Sequence, residues 1–238
     1  MEQRRLVLIS DLHGWLPGDL PAGDLLVIAG DFCPIRDHSM ERQQGWLEEK
    51  LRPWLDSLPY KDIVAIGGNH DFVAQKKPEL VKELPWHYLQ DETLWIQDLH
   101  LWGSPWAAPC GRWAFMKPEH KLAELYQEIP DNTDLVITHT PAVRAGDRVV
   151  SGKLVGSDSL RERMLKMRPA LHVSGHIHEG RGHYQIGRET RSINASLLDE
   201  NYQPWGWCYT VLLEQGEDSW QVAEVSEEPP QSEGYDFH

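Results

Sequence analysis

A chain of 238 residues with 40% hydrophobic content can bury a sizeable core, as one large α/β domain or two small ones. Its formal net charge of −14 argues against a long polyanion such as duplex DNA as the main partner. The longest apolar runs, such as Leu25-Leu-Val-Ile-Ala29, are strand-sized and exclude a membrane-crossing helix.

In chain order, residues 6–10 and 25–29 are the first short runs rich in Val, Ile and Leu. Their apolarity is continuous rather than alternating, which predicts strands buried on both faces of a sheet. Residues 41–55 then place Trp46, Leu47, Leu51, Trp54 and Leu55 close to one helical face, with Pro59 as the stop. A third buried strand is predicted over 62–66 and a further strand over 94–102. Residues 118–129 predict a helix opened by Pro118 and burying Leu122, Leu125 and Ile129. A strand at 134–138 follows, then a basic helix at 159–167 ended by Pro169, then a strand at 170–174. The last third turns to strands at 184–186, 190–193, 208–214 and 220–225.

This pattern predicts an α/β/β/α sandwich of mixed sheets in a single domain over 1–225, with an acidic, flexible tail at 226–238 containing Pro229-Pro230. Arg4-Arg5 runs straight into the first strand and a charged motif, so no leader peptide is expected, and a cytoplasmic location is. Cys33, Cys110 and Cys208 offer neither a disulfide framework nor paired zinc spacing. Cys33, two residues after Asp31, reads as a small buried thiol rather than a ligand.

Five of the predicted buried strands end in a residue able to bind metal. Asp11 and His13 follow the first, two apart and so on one side of an extended segment. Gly30-Asp31 follows the second, Gly67-Gly68-Asn69-His70-Asp71 the third, His139 the strand at 134–138, and Gly175-His176-Ile177-His178 the strand at 170–174. Any one of these alone is an ordinary turn or surface residue. Five at the carboxyl ends of strands, where α/β sheets build ligand sites, point to one centre. Oxygen and imidazole donors without thiolate favour Mn²⁺ or Fe, Zn, Co and Ni over soft metals. Two divalent ions against Asp11, Asp31 and one hydroxide leave a small positive charge, and neutral Asn69 preserves it. Such a centre attracts a phosphoryl group inside an acidic protein and activates a bridging water.

The ordered set Asp11-x-His13, Gly30-Asp31, Gly68-Asn69-His70-Asp71, His139 and Gly175-His176-x-His178 resembles the calcineurin-like metallophosphoesterase superfamily. Gly103-Ser-Pro-Trp106, Asp147-Arg148, Gly175-His-Ile-His-Glu-Gly180 and Ile193-Asn-Ala-Ser196 are similar to its metallophosphoesterase-domain-containing (MPPED-like) class III phosphodiesterase branch, over roughly residues 5 to 200. The resemblance implies that Asp11, His13 and His178 hold one divalent metal, that Asn69, His139 and His176 hold the other, and that Asp31 bridges them. It implies a catalytic, non-ligand role for His70, which stabilises the transition state or protonates the leaving oxygen. Asp71 could orient His70, although sequence neighbours in a turn often point apart.

The expected activity is hydrolysis of small phosphodiesters, cyclic nucleotides among them, by a metal-bridging hydroxide. A phosphomonoesterase or phosphoprotein phosphatase on the same site, and a metal-stabilised interaction module without turnover, are the alternatives. A nuclease is disfavoured by the charge, no membrane partner is expected, and the sequence is silent on oligomeric state. Two features concern the substrate. Trp102, Trp106 and Trp113 read as ordinary loop packing more readily than as a wall for a nucleobase. Arg148, in the loop after His139, reads equally as a second phosphate-oxygen contact or as a solvated side chain.

Overall fold

The computed structural model describes residues 2–205, 208–217 and 219–228. In chain order its strands are β1 (Gln3–Ile9), β2 (Leu25–Ala29), β3 (Asp62–Ile66), β4 (His87–Tyr88), β5 (Glu92–Ile96), β6 (Leu99–Ser104), β7 (Leu135–Thr138), β8 (Leu171–Ser174), β9 (Gly182–Ile186), β10 (Thr190–Asn194), β11 (Cys208–Gln215) and β12 (Trp220–Glu228). They form two six-stranded mixed sheets, ordered β12-β11-β1-β2-β3-β4 and β5-β6-β7-β8-β10-β9. In the second sheet a parallel centre, β6-β7-β8-β10, is flanked by antiparallel β5 and β9, whereas in the first β1-β2-β3-β4 run parallel to the edge and β11 and β12 add antiparallel pairs beyond β1.

The continuous apolar runs have a simple cause. Successive side chains of a strand point to opposite faces. Leu6 and Leu8 of β1 enter a core shared with Leu101, Ile137 and Val173 of the second sheet, while Val7 and Ile9 enter the outer core of the first. That outer core is covered by α1 (Met40–Trp46), α2 (Arg52–Ser57), α3 (Phe72–Lys76) and α4 (Pro78–Lys82). The far face of the second sheet buries Leu122 and Tyr126 of α5 (Glu119–Tyr126) and Leu160 and Met164 of α6 (Asp158–Met167). The result is the expected α/β/β/α sandwich.

Three local expectations change. The helix over 41–55 is interrupted by a π turn, Leu47–Leu51, ahead of Pro53. Proline has no N–H for the i−4 carbonyl and its ring crowds that carbonyl, so the helix widens before it. The strand over 94–102 is a hairpin, with Ile96 paired to Leu99 around Gln97-Asp98. Both turn residues are left-handed, at φ 50° and 65°, as a two-residue turn of this hand requires. The last strand runs to Glu228, so residues 226–228 of the expected tail belong to the sheet, and residues 229–238 lie outside the described residues.

A main-chain bridge joins the two sheets beside the site. Ser10, just past β1, pairs in parallel with Ser196, just past β10. Ser10 N–H donates to Ala195 O at 3.0 Å and Leu197 N–H to Ser10 O at 2.9 Å.

Candidate metal centre

The loops that leave β1, β2, β3, β7 and β8 converge on this seam. Four of their residues, Asp11, His13, Asp31 and His176, sit at left-handed φ of 54°, 47°, 52° and 68°. Non-glycine residues avoid this region, and clusters of such strain mark functional sites. Main-chain bonds hold the loops in place, with Asp11 N–H on Gly30 O and His13 N–H on Asp31 O. Two glycines are required by closeness. A Cβ on Gly68 would lie 2.3 Å from Asp31 Oδ1, and one on Gly175 would lie 2.2 Å from Asp11 Oδ2.

The donor atoms gather in overlapping groups: Asp11 with His13 and His178, Asp11 with Asp31 and His139, and His13 with Asp31 and His70, each within 4.8 Å. Asn69 Oδ1 is 3.0 Å from His139 Nε2, and the His176 ring lies 5.0 Å from that of His139. All seven residues predicted as ligands therefore meet in one place. Asp11 is further fixed by Ser196 Oγ–H at 2.7 Å and by the His176 N–H.

The hydrogen-bond polarity is that of a cation site. His139 Nδ1 lies 2.9 Å from Ala29 O and His178 Nδ1 lies 2.8 Å from Asp199 O, so each spends its Nδ1–H on a carbonyl. Their Nε2 lone pairs then face other acceptors. His139 Nε2 meets Asp31 Oδ2 at 3.3 Å and Asn69 Oδ1, while His178 Nε2 meets Asp11 Oδ1 at 3.4 Å and His13 Nε2 at 3.2 Å. Acceptors so close require a cation between them, a proton or a metal ion. Protons respond in this way. Burial opposes charge on His139 and His178, yet Asp31 and Asp11 outweigh it and raise both imidazoles to about 9. Burial lowers His13 to about 3 and His176 to about 4. The donor set, oxygen and imidazole with no thiolate, fits divalent ions.

The open side of the cluster is a pocket of about 420 Å³ lined by His13, Asp31, Asn69, His70, His176 and His178. Trp113 and Tyr202, both 38% exposed, flank it. Tyr202 lies against His13 and His178, and Trp113 lies 4.5 Å from His70 between ring centroids. Glu179 and Glu200 are the charged residues of its rim, and no Lys or Arg lines it among the described residues.

The family model for calcineurin-like phosphoesterases matches residues 4–180. The chain belongs to the calcineurin-like phosphoesterase family. It is 33% identical over 229 residues to human metallophosphoesterase domain-containing protein 1, covering 84% of this chain and 68% of that one. Among solved structures, the calcineurin-like phosphoesterase YfkN from Bacillus subtilis superposes with a TM-score of 0.52 at 13% identity, over 95% of this chain and 90% of that one. TT1561 of Thermus thermophilus superposes with a TM-score of 0.60 at 12% identity, over 97% of this chain and all of that one. Calcineurin-like phosphoesterases are metal-dependent phosphoester hydrolases with a dinuclear divalent site, and this calcineurin-like chain carries His and Asp groups able to hold the ions. No helix among the described residues is long and apolar enough to cross a membrane.

The remaining predicted residues fall less simply. Asp71 turns away from the His70 ring. Its buried carboxylate accepts from Cys33 N–H, Phe32 N–H and Gly68 N–H and so ties the β2 and β3 loops together. Its acid is pushed up to about 7 by burial and by Asp31. The place expected for Asp71, beside His70, is taken by His38, which has no ligand-like spacing in the sequence. Arg148 is exposed, donates to Gly152 O, and lines a neighbouring cleft of about 520 Å³ that, among the described residues, shares Glu179 alone with the metal pocket. Trp102 is buried against Tyr126, and Trp106 donates to Asp91 and packs on Phe115, so Trp113 alone of the three reaches the pocket. Cys33 is buried and, among the described residues, belongs to no donor group.

Proposed function

We propose that this phosphoesterase hydrolyses small phosphodiesters, cyclic nucleotides among them, at a two-metal centre. Asp11, His13 and His178 would hold one ion, Asn69, His139 and His176 the other, and Asp31 both. The observation that carries the reading is the pair His139 and His178, each with Nδ1–H on a carbonyl and Nε2 turned to a carboxylate. Two divalent ions held there, Mn²⁺ by preference, would supply Lewis acidity and positive charge in this acidic protein. His70, whose imidazole is lowered by burial, stands at the cluster's edge beside His13 and Asp31. It gives a proton to the leaving oxygen as the P–O ester bond breaks and water's oxygen bonds to phosphorus.

The rim supports a diester rather than a monoester. A diester brings one negative charge and a monoester nearly two, and among the described residues the charged rim groups are Glu179 and Glu200. Trp113 and Tyr202 offer faces to a planar group such as a base. Three free thiols, one exposed at Cys110, suit a reducing compartment, and a cytoplasmic location completes the reading.

The test is turnover of Mn²⁺-loaded protein on a bis-aryl diester, an aryl monoester and cyclic nucleotides. Diester hydrolysis that stops with chelator is expected. A folded, metal-loaded protein inert on every ester would end the phosphoesterase reading, and faster monoester turnover would end the diester preference.

A further inference from the structure

The backbone of His70 is pinned from both sides. Its N–H donates to Asp31 Oδ1 at 2.7 Å, and its C=O accepts from Gln43 Nε2 at 2.7 Å. The ring is held separately. His70 Nδ1 lies 2.8 Å from His38 Nε2, and Trp113 packs on both rings, at 4.5 Å from His70 and 5.2 Å from His38. Phe72 closes the back of His38 at 5.4 Å. No carboxylate reaches Nδ1 of His70 among the described contacts, and Asp71 is committed to three backbone N–H groups.

We propose that His38 is a positioning residue for His70: its Nε2 accepts the Nδ1–H of His70 and so leaves Nε2 of His70 directed at the leaving oxygen. The inference rests on the phosphodiesterase reading and deepens it. A neutral imidazole carries one proton, and the bond made by one nitrogen decides which nitrogen holds it. With Nδ1–H fixed on His38, His70 gives its Nε2 proton to the leaving alkoxide and returns to the neutral Nδ1–H form. The proton released by the attacking water restores it, so the cycle balances. His38 touches neither substrate nor the reacting atoms in this scheme.

Two experiments decide it. In the Zn²⁺-loaded protein labelled with ¹⁵N-histidine, long-range ¹H–¹⁵N spectra should show neutral His70 as the Nδ1–H tautomer, and His38→Ala should scramble it. In turnover, His38→Ala should lower kcat on a diester with an alkyl leaving group about 10- to 100-fold, the range typical of an outer-shell partner. KM and metal content should hold. The loss should be smaller on an aryl diester, whose phenolate leaves without a proton, and His38→Gln, which keeps an acceptor at similar reach, should recover most of it. A wild-type His70 in the Nε2–H form, or equal losses on alkyl and aryl esters, would overturn the role of His38. If wild-type protein turns over no ester, the phosphodiesterase reading fails, while the tautomer spectrum still judges the His38–His70 bond.

Discussion

Ser196 Oγ–H reaches Asp11 Oδ2 at 2.7 Å across the seam where the two sheets meet. Asp11 is fully buried, so its carboxylate orientation depends on such donors. Ser196→Ala should lower affinity at the proposed ion site of Asp11, His13 and His178 about 10- to 100-fold while the fold persists. Metal titration with circular dichroism as the fold control checks this. Unchanged affinity would show that Asp11 needs no help from the second sheet.

Gly68 and Gly175 leave no room for a methyl group. Each Gly→Ala change should cost about 1–3 kcal/mol through overpacking and reduce bound metal, because the atoms crowded include carboxylate oxygens of Asp31 and Asp11, with Ser10 Oγ also in the way at Gly175. Gly45, in α1 with nothing within 4 Å, is the opposite case. Gly45→Ala should gain about 0.5–1 kcal/mol from helix propensity and leave metal content alone. Denaturant melts with elemental analysis compare all three.

Metal removal should destabilise the fold, since the acceptors converging between His139, His178 and the aspartates lose their cation. Mn²⁺ at a hundred times its dissociation constant adds about 2.7 kcal/mol. For a chain of this size that raises Tm by roughly 5–10 °C over the chelated protein. A flat Tm across a Mn²⁺ titration would count against the site.

His172 supplies a pH dependence separate from the centre. Thr138 Oγ1 donates to Thr140 O, so it accepts Nε2–H from His172, and Nδ1 of His172 accepts from Ser192 Oγ. Burial lowers this imidazole to about 3, against an unfolded value of 6.5. The unfolded chain therefore binds a proton below about 6.5 that the folded chain refuses. The neutral form's stability is complete above 6.5 and is lost as pH falls toward 3. His172→Gln, compared with wild type in chelator, should be less stable at pH 7, and the gap should narrow by about 2 kcal/mol at pH 5. A gap constant with pH would remove His172 as the cause.

The strands that carry the centre were legible because burial on both faces gives continuous apolar runs ending in Asp, Asn or His, as at Leu25–Ala29 and Asp31. What escaped was short or non-local. Strand β4 has two residues and α3 and α4 five each, too few to show a period. The turn at Gln97-Asp98 hid because it uses two left-handed residues without glycine. His38 lies 32 residues from His70, and no spacing rule links a residue in one loop to a ring in another. Ser196 stood inside a recognisable motif, yet its bond to Asp11 spans 185 residues and is visible only in three dimensions.

The pairing of Ser10 with Ser196, and of His13 with His178 across 165 residues, also sets a schedule for synthesis. A ribosome adding about 5–20 residues per second makes Asp11 and His13 wait roughly 10–30 s for their partner His178. During that interval Asp11 is without the His178 imidazole that lies 3.4 Å from it in the folded chain. The proposed centre is therefore complete only once the loop after β8 has been made, and a fragment ending before β8 would lack His176 and His178.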